Sequence, residues 1–252
     1  MNSPLAYIGG KSRLAKVIIE KFPEHKAYCE VFAGAAWVFF RKQQSKYETI
    51  NDLDSDLVRF YRVLQNHLEE FLKQFKWLLA SREWFEDWSR QQQAGGLTDI
   101  QRAARYYYLQ RLCFGGRVKG RTFGATPMDR PRINLIRMEE ELSEVHLRLS
   151  RVSIENLPWD NFLKRYDRKE SFFFLDPPYY STPVYKHNFE LDDFEKLAKA
   201  LTKIQGKFLL SLGDHSEMRR VFSDFNVESV TLQYSVSQKK PTVGKELIIT
   251  NY

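Results

Sequence analysis

The sequence predicts an α/β fold, on three observations. Residues 28–54 run as strand, glycine turn, helix start, strand and acid, the order of a nucleotide-binding half-sheet. Residues 171–175, Ser-Phe-Phe-Phe-Leu, form a short apolar run suited to a fully buried strand, and it stops at Asp176-Pro177-Pro178-Tyr179. Between these blocks the pattern changes to long helices. The expected architecture is a split α/β domain, residues 1–55 and 151–252, around a helical insertion at 56–150.

Each element has its own signal. Leu14, Val17, Ile18 and Phe22 share one face of an expected helix over 12–22. Residues 28–32 read as a strand ending at Gly34, residues 37–41 as a helix start, and residues 48–50 as a second strand ending at Asn51-Asp52-Leu53-Asp54. Leu68, Phe71, Leu72, Phe75, Leu78 and Leu79 then fall at helical spacing, as do Ala104, Tyr107, Tyr108 and Leu112, with a polar break at 91–98. Trp77, Trp84 and Trp88 fall within these patterns and are expected to pack. Strand patterns return at 152–154, 171–175 and 207–212, with a helix carrying Leu191, Phe194, Leu197, Ala198 and Leu201 before the last. Alternation at Val230, Leu232, Tyr234 and Val236, followed by residues 246–250, predicts a terminal hairpin. Asp214, just past a strand, is expected to cap the next helix, with a place in a base pocket as the alternative.

Composition narrows the class. A chain of 252 residues with 43% hydrophobic and 15% aromatic content supports a real core. Its two cysteines, Cys29 and Cys113, lack metal-ligand spacing, so a reducing cytoplasm and no metal centre are expected. The five histidines are scattered and read as surface or core residues. No apolar run approaches the ~20 residues of a membrane span, and no secretory leader is visible. The net charge of +7 is focal. Residues 101–132 hold eight basic side chains (Arg102, Arg105, Arg111, Arg117, Lys119, Arg121, Arg130, Arg132) against one acid, Asp129, an excess equal to that of the whole chain. A charge run is ordinarily a solvated face. Interleaved with Gly115, Gly116, Gly120 and Gly124, this one suits a loop that meets phosphates.

Four local patterns carry chemistry. Tyr7-Ile8-Gly9-Gly10-Lys11 places two glycines and a lysine at the opening of the first helix, where an anion would bind. A nucleotide P-loop would need glycine at position 5, which is Leu5, so that reading fails. Phe32-Ala33-Gly34-Ala35-Ala36 is a tight turn of small residues after a strand. Asp52 follows about 20 residues after the glycine turn, where such sheets place an acid on a ribose. At Asp176-Pro177-Pro178-Tyr179 an acceptor, two prolines with free carbonyls and a stacking face lie together, a set that fits a flat, amine-bearing base.

In this order, with the insertion before the last, the patterns resemble the Dam-type (D12 class) DNA adenine-N6 methyltransferases over nearly the whole chain. The closing Glu246-Leu247 adds to the likeness. The resemblance implies a Rossmann-like, S-adenosylmethionine-dependent methyltransferase sheet with an inserted helical DNA-recognition domain. It implies that Tyr7, Gly9 and Lys11 contact S-adenosylmethionine, with Lys11 near its carboxylate. Phe32 and Gly34 would form the floor, Asp52 would take the ribose and Trp159 would serve as the aromatic beside the cofactor adenine. Asp176 would face both cofactor and target base. The family often has glycine where Ala36 stands, and an acid before its aromatic where this chain has Asn156-Leu157-Pro158-Trp159.

The implied reaction is transfer of a methyl group to the N6 of adenine in double-stranded DNA, with the base flipped out of the helix. Asp176 and the Pro177 carbonyl would accept the amine hydrogens, Pro178 would shape the turn, and Tyr179 would stack on the base through its ring face alone. Arg111, Arg117, Lys119 and Arg121 are the candidate DNA contacts, phosphate before base. The segment Leu109-Gln110-Arg111-Leu112-Cys113-Phe114 lacks the asparagines that accompany GATC recognition, so the target is GATC or a relaxed site. Cytosine N4, RNA and an idle DNA-binding module are the alternatives. The usual cytosine-N4 motif begins with serine where Asp176 stands. Oligomeric state is not legible.

Overall fold

The protein is described from a computed structural model, which places residues 1–91, 95–124, 132–182, 185–234 and 242–252. Arg130, Asp129 and Val236 fall outside these residues. Seven strands form one sheet: β1 (Ala27–Glu30), β2 (Tyr47–Asn51), β3 (Ser153–Glu155), β4 (Ser171–Leu175), β5 (Lys207–Gly213), β6 (Asn226–Tyr234) and β7 (Thr242–Thr250), in the order β3-β2-β1-β4-β5-β7-β6. The first five are parallel, and β7 runs antiparallel between β5 and β6. The expected strands and terminal hairpin are therefore present, with the hairpin inserted in reverse: its second strand, not its first, pairs with β5.

The apolar strands are apolar because both faces of the sheet are covered. Side chains alternate between two cores along β4. Phe172 and Phe174 join Tyr28, Leu209 and Ile248 on one face, against the N-terminal and insertion helices. Phe173 and Leu175 join Cys29, Val31, Phe208 and Leu247 on the other. That second face is closed by α8 (Trp159–Tyr166), α9 (Leu191–Leu201) and α10 (Ser216–Val221).

Among the described residues, five helices lie between β2 and β3: α3 (Ser55–Asn66), α4 (Leu68–Lys73), α5 (Arg82–Arg90), α6 (Asp99–Leu112) and α7 (Met138–Leu149). They are preceded by α1 (Ala15–Glu20) and α2 (Trp37–Arg41). α6 is central, because its residues from Ala103 to Gln110 are buried all round. A reciprocal capping box, Thr98 with Gln101, starts it. Phe60 of α3 stacks on Tyr107 of α6 with centroids 5.6 Å apart. Of the expected packing tryptophans, only Trp88 lies against the helices, 4.9 Å from the Tyr108 ring. Trp77 and Leu79 are exposed, since α4 ends at Lys73 and the helical period no longer applies beyond it.

The strand order reverses between β1 and β4. From β1 the chain builds outward through β2 and β3, then returns to β4 and builds the other way. Ligands of open α/β sheets bind beyond the strand ends at such a reversal, where the connecting segments diverge and leave a crevice. Gly34 follows β1 and Asp176 follows β4 directly. No described helix is long and apolar enough to cross a membrane.

Replacing Phe173 with alanine, at 0% exposure in the core, is expected to lower the unfolding free energy by about 3–5 kcal/mol in denaturant titration. Trp77→Ala, at 83% exposure, is expected to stay within about 0.5 kcal/mol.

Candidate active site

The glycine turn after β1 is held by the acid after β2. Asp52 Oδ2 accepts the Gly34 amide at 2.9 Å and its Oδ1 accepts the Asp54 amide at 2.9 Å. The Tyr61 hydroxyl donates to the Gly34 carbonyl at 2.9 Å. Gly34 has φ +48° and Ala36 has φ +52°, both left-handed. Alanine there carries roughly 1–2 kcal/mol of backbone strain, which explains why glycine suits that position. Burial pushes the Asp52 carboxyl up to about 6, against the two amides. Asn51, whose own role was not anticipated, ties the strand ends together. Its amide donates to the carbonyls of Val31 and Leu157, and its Oδ1 accepts the Leu157 amide.

Lys11 does not sit at a helix N-terminus, because α1 begins only at Ala15. Instead the loop at residues 7–11 carries it across the sheet end. Lys11 Nζ donates to Asp176 Oδ1 at 2.6 Å and to the Tyr179 hydroxyl, and lies 4.5 Å from the Tyr179 ring centroid. The Tyr179 hydroxyl in turn donates to Glu246 Oε2. Glu246 is there because β7 pairs antiparallel with β5 and sets it opposite Gly213. A Cβ on Gly213 would come within 3.2 Å of the Tyr179 ring, so glycine lets the ring lie on the strand end.

Burial lifts the Asp176 carboxyl to about 6, although Lys11 opposes the rise. Burial alone would lower Lys11, but Asp176 and Glu246 outweigh it and hold the ammonium above its usual range. Burial drives Tyr179 well above the usual phenol range, with Asp176 and Glu246 adding to it. Glu30, a further buried carboxyl in the cleft, is pushed up to about 8 by burial while the Tyr28 hydroxyl donates to it.

One cleft of about 920 Å³, counting the space at its mouth, is lined by Lys11, Glu30, Asp52 and Asp176, whereas Tyr179 and Glu246 line a second cleft with Tyr180 and Asp214. Tyr7, Gly9, Lys11, Phe32, Gly34, Asp52, Trp159 and Asp176, separated by up to 169 positions in the chain, all line the first. Pro178 lines it too, and Pro177 is buried beneath. Sequence reasoning missed Glu30 and Tyr185 on its walls. The Tyr185 hydroxyl donates to the Ile8 carbonyl at 3.0 Å, and Lys186 pairs with Asp54 at 2.8 Å and with Asp56 at 3.1 Å. Asp54 caps α3 through Oδ1, while its buried Oδ2 has no hydrogen-bond partner among the described residues.

The four basic candidates divide. Arg117 and Lys119 are exposed. Arg111 is half-buried and donates to the carbonyls of Pro4 and Arg132, and Arg121 donates twice to Gln110 Oε1. Gln110 is fully buried and bonds the carbonyls of Ala6 and Gly116, docking the basic loop on the N-terminal loop. Val118, between Arg117 and Lys119, reaches that first cleft. Asp214 does not cap α10. His215 does, accepting the Glu217 amide, while Arg219 takes Asp214 through two hydrogen bonds. Among the described residues no three potential metal ligands cluster.

A parallel sheet with its cleft at the strand-order reversal, walled by aromatics and floored by a glycine turn, defines a nucleoside-binding α/β protein. The chain belongs to the D12 class N6 adenine-specific DNA methyltransferases, whose family model matches residues 7–236. It is thus an enzyme that methylates adenine in DNA using S-adenosylmethionine. Type II methyltransferase M.MjaIII of Methanocaldococcus jannaschii is 25% identical over 98% of both chains. Type II methyltransferase M1.LlaDCHI of Lactococcus lactis subsp. cremoris is 26% identical over 98% of this chain and 94% of its own. The DNA N-6-adenine-methyltransferase of Escherichia phage P1 is 25% identical over 94% of this chain and 33% of its own.

The hydroxyl of Tyr179 is engaged on both sides, so its ring face is not its only function. Tyr179→Phe is expected to lower the unfolding free energy by about 1–3 kcal/mol, measured by denaturant titration, because Lys11 and Glu246 lose their bridge in a buried setting.

Proposed function

We propose that a flipped adenine of double-stranded DNA docks at residues 176–179, with its amine held by Asp176 Oδ2 and the Pro177 carbonyl. The observation that carries this is the one-sided use of Asp176. Lys11 occupies Oδ1, and Oδ2 has no hydrogen-bond partner among the described residues. An ionised carboxylate beside a base amine accepts its hydrogens and turns the nitrogen lone pair away from the ring. Tyr179 offers its ring for stacking, worth about 1–3 kcal/mol, which offsets part of the flipping cost.

The cleft suits S-adenosylmethionine by its donor set. A nucleoside brings hydroxyl and amine hydrogens, and the cleft holds buried acceptors at Asp52 and at Asp54 Oδ2, which has no hydrogen-bond partner among the described residues. Phe32 and Trp159 would flank the nucleoside, Gly34 would let it approach the backbone, and Tyr7, Gly9 and Lys11 would meet the amino-acid end. When bound, that cofactor supplies an electrophilic methyl group. Pre-orientation of the amine is then the protein's main contribution.

In this reading residues 56–150 form the DNA-recognition insertion, and the enzyme works in the cytoplasm without a metal. Exposed Arg117 and Lys119 contact phosphates. Arg111 and Arg121 act indirectly by shaping the loop, and the target is a site other than a strict GATC.

Asp176→Ala is expected to lower single-turnover methylation by at least about 100-fold while cofactor binding, followed by titration, survives in part. Labelled cofactor with duplex DNA, followed by base analysis, tests the reading. Label on cytosine N4, or a fully active Asp176→Ala enzyme, rejects it. The ionised Asp176 is the competent form, so the single-turnover rate is expected to climb as pH rises through about 6 and to fall below it. Asp52 also ionises near 6, and cofactor affinity is expected to weaken over the same acid window in a titration.

A further inference from the structure

Of the two clefts at the strand ends, the second has no assigned occupant. The first carries Lys11 and Asp176, while the second carries Tyr179, Tyr180, Asp214, His215 and Lys245. Lys11 Nζ donates both to Asp176 Oδ1 and to the Tyr179 hydroxyl, so the two clefts abut at that ammonium. A methyl donor and a methyl acceptor need two spaces that meet at one acid. We infer that the flipped nucleotide enters the second cleft and that Lys245, at its edge, holds the backbone phosphate beside the target adenine. The inference rests on the function proposed above and adds to it a positioning residue outside residues 176–179.

The second cleft suits a base. It encloses about 710 Å³, counting the space at its mouth. Leu212 and Met218, both buried, give it an apolar lining. The Tyr180 ring stands edge-on to His215, with centroids 4.9 Å apart, on the same lining as the Tyr179 ring. Aromatic surface is what a base taken out of its stack requires. Asp214 is the one acid here that could repel a phosphate. Its two oxygens accept from Arg219, and the Ser229 hydroxyl donates to Oδ2 as well, so its charge is satisfied within the protein.

Lys245 combines a fixed stem with an unpartnered head. Its carbonyl accepts the Asp214 amide at 3.0 Å, and β7 pairs it with Thr231 of β6. Side chains alternate along a strand. Glu246 turns to the Tyr179 hydroxyl on the face of Ile248, so Lys245 shares the other face with Leu247. That is the face of Leu212 and Met218, where the second cleft lies. Lys245 is exposed, and among the described residues its ammonium makes no ion pair or hydrogen bond. Asp214 is near enough to feel its charge but is already held by Arg219. Among the described residues that line this cleft, Lys245 is the only lysine or arginine. A nucleotide swung out of a duplex leaves its phosphates at the mouth of the pocket that takes its base. A cation on a rigid strand at that mouth neutralises one of them and releases its counterions. The contact carries no sequence information, so it serves whatever site the enzyme reads.

The test is a cycle between one side chain and one phosphate, on full-length enzyme and a duplex containing the adenine it methylates. Two modified duplexes carry an uncharged methylphosphonate in place of the phosphate on the 5′ or the 3′ side of that adenine. Binding is titrated with S-adenosylhomocysteine present, so that the complex forms without turnover. In the parent, at least one replacement is expected to weaken binding by about fivefold. Lys245→Ala is expected to lose the same factor on the natural duplex and nothing further on that modified one. Lys245→Arg keeps the charge and should keep the parent's response. Independent losses at both phosphates overturn the inference, and so does a Lys245→Ala protein that binds the natural duplex like the parent. A fall in cofactor affinity without DNA by the same factor also overturns it, since Lys245 would then be a support for the site. A parent enzyme that places no methyl on adenine N6 would instead bring down the proposed function itself.

Discussion

A carboxylate taken out of water needs a partner, and most of the site follows from how Asp176 obtains one. Isolated, an ionised group in a protein interior costs several kcal/mol even after relaxation. Here the partner is Lys11, 165 positions away in sequence, delivered by a loop that crosses the end of the sheet. That pair closes the N-terminal loop over the cleft and brings Gly9 and Tyr7 with it. Because Lys11 takes only one oxygen, the acid is stabilised without being used up. A stabilised acid with a spare acceptor is what amine chemistry requires.

Charge balance around the pair is deliberately short of positive groups. Asp176 and Glu246 converge on one buried ammonium, Lys11, and burial raises the Asp176 and Glu30 carboxyls into the range where protons move near neutral pH. Tyr179 lies between Lys11 and Glu246 and orders both. Its ring is therefore held in one pose, which would reduce the rotamer entropy lost in the stacking proposed above.

The helical block is joined to the sheet by polar ties as well as by its core. Glu48 on β2 is buried with Lys42, and Arg148 on α7 reaches it from the far end of the insertion, also bonding the Phe39 carbonyl and lying 3.8 Å from the Phe39 ring. Gln65 of α3 bonds the carbonyls of Leu149 and Val152, where the chain returns to the sheet. Gln110 makes a third tie, from the basic loop to the N-terminal loop that carries Lys11. Removing one partner of such buried networks costs more than the single bond suggests, since the other is left desolvated. The basic loop and the N-terminal loop that holds Asp176 are thereby joined by hydrogen bonds.

The sequence by itself determined what local periodicity and stiff dipeptides encode. The aromatic run of β4, its stop at two prolines, the glycine turn and the acid near residue 52 all depend on neighbours within a few positions, so they were legible, and Phe174, Asp176, Pro178, Gly34 and Asp52 among them line one cleft. Partner choice was not legible, because it depends on which distant strands lie side by side. Only tertiary structure took Lys11 from an expected helix terminus to Asp176, and only the antiparallel insertion of β7 beside β5 set Glu246 under Tyr179. For the same reason Asp214 left its capping role to His215 once Arg219 was within reach, and two of four basic candidates became loop supports once Gln110 and backbone carbonyls were near. Local pattern decides where a side chain starts. Burial and long-range pairing decide what it meets.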